Sequence, residues 1–195
     1  MSALINASTS SGLVQTADTS GTLELQSNGT TQLTVSSTGA YGQLKSGTAL
    51  ATTSGTGPFT FTGIPSWVKR ITVQFSGIAA NGSLLLVQIG SGSYTTSGYV
   101  SGGNALNTGG NLVNSTAGFY ASPSLSTGTS SGNLVLTNIT GNTWVGTALV
   151  CRSDGTVVMS SGFIALGGVL DRLQVTTVTG TATFSSGSTN ILYEG

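Results

Sequence analysis

Ile64-Pro-Ser-Trp-Val-Lys-Arg-Ile-Thr-Val-Gln-Phe-Ser-Gly-Ile78 carries the strongest strand signal in the chain. Ile71, Val73 and Phe75 fall on one face and Arg70, Thr72, Gln74 and Ser76 on the other, the period of two of a half-buried strand. Pro65 and Trp67 stand just upstream, where a proline fixes the chain's approach and an indole is expected to plug the end of a core. An alternating strand needs neighbours to pair with, and the flanking sequence offers them.

After Asn81-Gly82, a turn pair, Ser83 to Gly90 is apolar on both faces at Leu84 to Val87, as a central strand would be. Strand, Asn-Gly turn and strand predict a central hairpin over Lys69 to Ile89. Upstream, Phe59 and Phe61 share a face. Ser91 to Gly118 is dense in Gly, Ser, Thr and Asn and reads as surface loops with a short strand near Gly98 to Ser101. Further strands are expected at 117–122, 134–139, 143–152 and 156–159, with Asp154-Gly155 turning between the last two. Phe163 to Leu166, Leu170 to Val178, Ala182 to Phe184 and Asn190 to Tyr193 follow, the last two separated by a Ser/Gly turn. Short strands spaced roughly 8–12 residues apart predict an all-β chain, an antiparallel β-sandwich of jelly-roll-like form over residues 43–195.

Residues 1–42 read differently. Up to about residue 20 the chain is a polar arm whose aliphatic anchors are Leu4, Ile5, Leu13 and Val14, and such an arm is expected to gain order by packing on a neighbouring chain. Leu23 and Leu25 then alternate, as do Leu33 and Val35, and Asn28-Gly29 between them predicts a β-hairpin. A lone hairpin with four aliphatic side chains is marginal in water, so it is expected to pair with other strands or with copies of itself. Ser36 to Tyr41, ending in Gly42, reads as the linker.

Composition narrows the function. The chain has 195 residues, 5% of them charged, against roughly 25% in an ordinary soluble domain. Five basic and five acidic residues cancel, which removes the electrostatic footprint of a nucleic-acid binder. The amino terminus has neither a basic nor an apolar signal region, and no apolar run approaches the ~18 residues of a membrane span. No secretion and no membrane insertion are expected. Cys151 is the only cysteine and reads as a small buried hydrophobe.

There is no histidine, so Ser-His-Asp and Cys-His devices are excluded, together with a histidine base or metal ligand. Asp154 and Asp171 are the carboxylates of the main domain; a glycosidase pair is one reading, and a turn residue plus a strand-opening charge is the stronger one. No Asp-x-Asp spacing suggests calcium, and no Gly-Lys-Ser/Thr follows the glycines, so neither metal nor cofactor is expected. Tyr94, Tyr99, Phe119 and Tyr120 are the candidates for contact with glycan or protein, with core packing as the alternative. Lys69-Arg70 and Asp171-Arg172 are expected to form cross-strand or intersubunit pairs.

Three stretches resemble one another's usual company. Ile64-Pro-Ser-Trp-Val-Lys-Arg-Ile-Thr-Val, followed by Ser-Gly-Ile and Asn81-Gly82, resembles a module of tailed-bacteriophage virion proteins and prophage tail-fibre-like proteins. Leu170-Asp-Arg-Leu-Gln-Val-Thr-Thr-Val-Thr-Gly, with Phe184 and Ser188-Thr-Asn-Ile-Leu-Tyr-Glu194, is similar to the end of that module, and Leu23 to Val35 to a β segment near the start of phage appendage proteins. The resemblance implies a non-enzymatic virion protein, assembled as a homotrimer in the host cytoplasm. Residues 1–42 would be its anchor on other virion proteins, through Leu4, Ile5, Leu13, Val14, Leu23, Leu25, Leu33 and Val35. A short tail or head fibre used in host attachment and a capsid decoration (cement) protein both fit; the absence of a repeated shaft argues against a long fibre. The alternative is a carbohydrate-binding module that recognises host-surface glycan through its loop tyrosines.

Overall fold

The computed structural model describes residues 22–36, 39–42, 44–51, 57–80, 83–106, 112–123, 128–180 and 183–195. The chain forms two units, Met1–Gln43 and Leu44–Gly195. The arm with Leu4, Ile5, Leu13 and Val14 lies outside the described residues.

The first unit holds β1 (Leu23–Ser27), β2 (Thr30–Ser36) and β3 (Gly39–Gly42) in one antiparallel sheet, in that order. Asn28 (φ 52°) and Gly29 (φ 73°) turn the expected hairpin, both in the left-handed region that a two-residue loop of primed type demands. Leu23 pairs with Val35 and Leu25 with Leu33, so the four aliphatics share a face. Glu24, alternating with them, accepts from Gln26 Nε2 and Thr31 Oγ1 at 3.2 Å each. The stretch read as a linker supplies β3, because the free edge of β2 offers backbone partners to Gly39–Gly42.

In the second unit, β4 (Lys45–Ser46) and β5 (Leu50–Ala51) pair with β17 (Phe184–Glu194). β7 (Arg70–Ala80), β13 (Ser130–Thr140), β14 (Thr143–Arg152), β15 (Val157–Ala165), β10 (Val100–Leu106) and β11 (Leu112–Ser115) complete that sheet, whose order is β11-β10-β15-β14-β13-β7-β17-β4. The second sheet runs β12 (Phe119–Ser122), β8 (Leu85–Ser91), β16 (Arg172–Thr177), β6 (Phe59–Thr62), with β9 (Ser93–Tyr94) on β8. The architecture is an all-β antiparallel sandwich. With the hairpins β10–β11 and β14–β15 set aside, the remaining order is β4-β17-β7-β13 over β6-β16-β8-β12. The last strand lies beside the first in each layer, the doubly wound strand order of two Greek keys. The two inserted hairpins widen one layer only.

The alternation of the opening stretch holds: Ile71, Val73 and Phe75 are buried while Arg70, Gln74 and Ser76 are exposed. The predicted hairpin over Lys69 to Ile89 does not form. Both edges of β7 are filled, by β13 and β17, and β8 lies in the other layer between β16 and β12. Between β7 and β8 the chain passes from one layer to the other, across the ~10 Å that separates packed sheets, instead of pairing within one. Phe59 of β6 meets Phe184 of β17 across the core, ring centroids 4.8 Å apart.

Four further expectations are corrected. Trp67 does not plug the core: it is 47% exposed and leans on Tyr193, while Val68, whose N–H closes a turn onto the Pro65 carbonyl, points inward with Ile64. Cys151 is exposed, because Trp144, Ala148 and Val150 take the inner face of β14 and leave the odd-numbered positions outside. The loop region 91–118 contains the β10–β11 hairpin. The Ser/Gly turn before Asn190 is a bulged part of β17, where Gly187 at φ 94° passes close to Gly77.

Candidate functional site

The four aromatic candidates separate by depth. Tyr99, Phe119 and Tyr120 are buried in the core, and Tyr94 alone is partly exposed. The Tyr99 hydroxyl accepts from the Ile89 N–H at 2.8 Å and donates to the Ile89 carbonyl at 3.1 Å, and its ring stands edge-on to Phe119 at 5.2 Å. Burial pushes its phenol up to about 12. Tyr120 is likewise pushed up to about 12 by burial, with Arg152 pulling weakly the other way. Its hydroxyl has no partner, while its N–H donates to Ser101 Oγ at 2.9 Å and its carbonyl accepts from Ser160 Oγ. Ser101 and Ser160 lie on β10 and β15, so these contacts fasten the inserted hairpins to β12. The core reading therefore holds for three of the four rings.

Tyr94, on β9, has Arg172 Cζ 5.8 Å from its ring centroid, within reach of a cation–π contact. Desolvation raises its phenol, and Arg172 opposes this. Arg172 in turn grips Asp171 through Nε at 2.8 Å and Nη2 at 3.1 Å, and both Asp171 oxygens accept from the Gly92 N–H, at 3.1 and 3.2 Å. The Arg172 hydrogen bond, aided by Gly92, holds the Asp171 carboxyl below its ordinary range. The cluster pins the β8–β9 turn to the start of β16.

Asp154 is committed to its own turn. Oδ1 accepts from the Thr156 N–H at 3.0 Å, Oδ2 pairs with Arg152 at 3.0 Å, and the Thr156 hydrogen bonds lower its carboxyl. The two carboxylates thus serve separate turns. Arg70 pairs with Glu194 across β7 and β17 at 3.0 Å, the expected cross-strand ion pair. Among the described residues, no group of three or more His, Cys, Asp or Glu comes together, and no helix is long and apolar enough to cross a membrane.

Two apolar surfaces complete the picture. In the first unit Leu23, Leu25 and Val35 are exposed and Leu33 is half-buried, so the shared face of the hairpin is only partly covered. In the sandwich, the outer side of the inserted hairpins exposes Val100, Leu106, Leu112, Leu149, Met159 and Phe163, around a groove of about 630 Å³. The second surface was missed by sequence reasoning. Its signal is present: Ala148-Leu149-Val150-Cys151 is apolar at both parities, which means two apolar faces rather than one. No family model, no curated protein and no solved structure matches the chain.

Proposed function

We propose that this chain is a non-enzymatic structural protein of a tailed-phage particle, a short fibre or a capsid decoration protein. It acts as a homotrimer, held and anchored on other virion proteins by residues 1–42, and assembles in the host cytoplasm. The observation that carries this reading is the face of Leu23, Leu25, Leu33 and Val35 on a three-stranded sheet. Among the described residues no second layer stands against this face, and units as small as about 40 residues commonly need disulfides, metals or association. The single cysteine, Cys151, lies in the other unit, and no metal-ligand cluster forms among the described residues, which favours association. The low charge content agrees with it, since uncharged protomers meet without stripping water from ions.

Light scattering on the full chain, followed by mixing with particles that lack it, tests the reading. A trimeric mass, particle binding, and loss of both in a Leu25→Asp, Leu33→Asp variant are expected. A monomer that ignores the particle overturns it.

Glycan binding keeps one supporting observation, the partly exposed Tyr94 ring beside Arg172 and Asp171, which offers a stacking surface next to charged donors and acceptors. Host-surface glycan bound by the full chain and lost in Tyr94→Ala would favour it.

A further inference from the structure

We propose that the outer face of the β14–β15–β10 strands is a two-fold contact between copies of this chain, separate from the N-terminal sheet. Strand register sorts that face into rows running across the strands. Val145, Phe163 and Val100 form one row; Thr147, Ser161 and Gly102 form the next; Leu149, Met159 and Asn104, continued by Leu112, form the third. Cys151, Val157 and Leu106 form the fourth. The second row is a trough over Thr147 and Ser161 between two bulky rows, closed at its Gly102 end by the Asn114 amide of β11.

This pattern fits itself. A two-fold axis lying between two facing copies and running parallel to the rows, between the second and third, sets the bulky row of each copy over the trough of the other. Leu149 then stands over the partner's Thr147, and Met159 over the partner's Ser161. The first row meets the fourth, both apolar.

Charge and area point to the same occupant. No Lys, Arg, Asp or Glu stands in these rows, so a charged partner would gain no ion pair there. Along the first row the nearest charge is Arg70, beyond Thr137 of β13, and it is already paired with Glu194. The six large apolar side chains are 47% to 75% exposed. Together they present on the order of 600 Å², at the upper limit of what a monomer leaves bare. With the trough included, the face approaches the ~800 Å² per partner of a standard interface.

Cys151 lies in the fourth row and is the only thiol, so maleimide labelling of the unmodified full chain reports cover at this face. Labelling rate and scattering mass are followed together against protein concentration. At a total chain concentration about ten times the dissociation constant roughly a fifth of chains are free, so labelling is expected to slow roughly fivefold as the mass approaches double. Met159→Lys, which puts a charge in the bulky row, and Ser161→Tyr, which fills the trough, are each expected to restore fast labelling with an unchanged melting transition. Leu33→Asp, which breaks the N-terminal sheet's contact, is expected to keep the protection. Labelling independent of concentration overturns the proposal, as does protection that survives Met159→Lys. Protection lost in Leu33→Asp also overturns it, by assigning the cover of Cys151 to the other contact.

Discussion

The N-terminal hairpin and strand β7 carry the same code and meet different fates. Leu23, Leu25, Leu33 and Val35 alternate with polar residues as cleanly as Ile71, Val73 and Phe75 do, yet Leu23 is 43% exposed and Ile71 is fully buried. Alternation specifies a strand and its sidedness; a second layer specifies burial. β7 has the β8–β16 layer against its apolar face, and the hairpin's own unit has none among the described residues. Truncation should expose this difference most strongly. Phe75→Ala is expected to cost about 3–5 kcal/mol in the denaturant unfolding of the sandwich. Leu25→Ala should leave that transition within about 0.5 kcal/mol, as an exposed site does. Equal losses would mean that the hairpin face is covered within the chain.

Glycines sharpen the comparison at a smaller scale. Gly187 and Gly29 both have positive φ, but a Cβ on Gly187 would stand 2.4 Å from the Gly77 backbone, and one on Gly29 would meet nothing within 4 Å. Gly187→Ala therefore combines left-handed strain with a backbone clash where β17 bulges against β7, and should cost about 1–3 kcal/mol. Gly29→Ala carries the strain alone, about 1 kcal/mol, confined to the hairpin. Thermal melts of the two variants, read on the sandwich transition, should shift only for Gly187→Ala.

What the sequence made legible follows from the same distinction. Period-two patterning and turn chemistry placed β7, the Asn28-Gly29 hairpin, the Asp154-Gly155 turn and β14, because these signals are local. Which strand pairs with which is not local. Asn81-Gly82 announced a reversal, but the crossing to the other layer depends on β13 and β17 having filled both edges of β7. The tyrosine candidates were half-read for a related reason. Tyr94 and Tyr99 sit in similar polar sequence, and only the approach of Phe119 and of the Ile89 backbone takes Tyr99 inside. Cys151 was read as core because it stands in the apolar run Ala148-Leu149-Val150-Cys151; in a strand, neighbours face opposite ways, and Val150 takes the inner side.

Alkaline titration probes the layered region from within. Tyr99 and Tyr120 have phenols at about 12, above the ordinary 10.0, so their neutral forms favour the folded chain. For an acid whose folded value is raised, the stabilisation is complete below the unfolded value and is lost as pH rises through the folded one. Between about pH 10 and 12 the unfolded chain ionises first, and the sandwich should weaken progressively. Tyrosinate absorbance should show these two phenols rising last and together with loss of the fold. Their early ionisation in a folded sandwich would contradict the burial of both rings.

The acid side should give the smallest effect, and it lies at the sandwich's turns. Asp154 and Asp171 are both held below the ordinary carboxylate value of 3.8, Asp154 chiefly by the Thr156 N–H and Asp171 chiefly by Arg172. A carboxylate depressed in the folded state contributes stability above its unfolded value and loses it as pH falls through the folded one. The sandwich melting temperature should therefore be flat from neutral pH down to about 4 and decline below it. The decline should be shallow, because both groups face solvent and water screens their partners. Asp171→Asn should flatten it more than Asp154→Asn. The Asp171 carboxylate joins β16 to the β8–β9 turn across 79 residues of chain, whereas Asp154 holds only residues within its own turn. An unchanged slope in both variants would show that the acid response of the sandwich arises elsewhere than at these two turns.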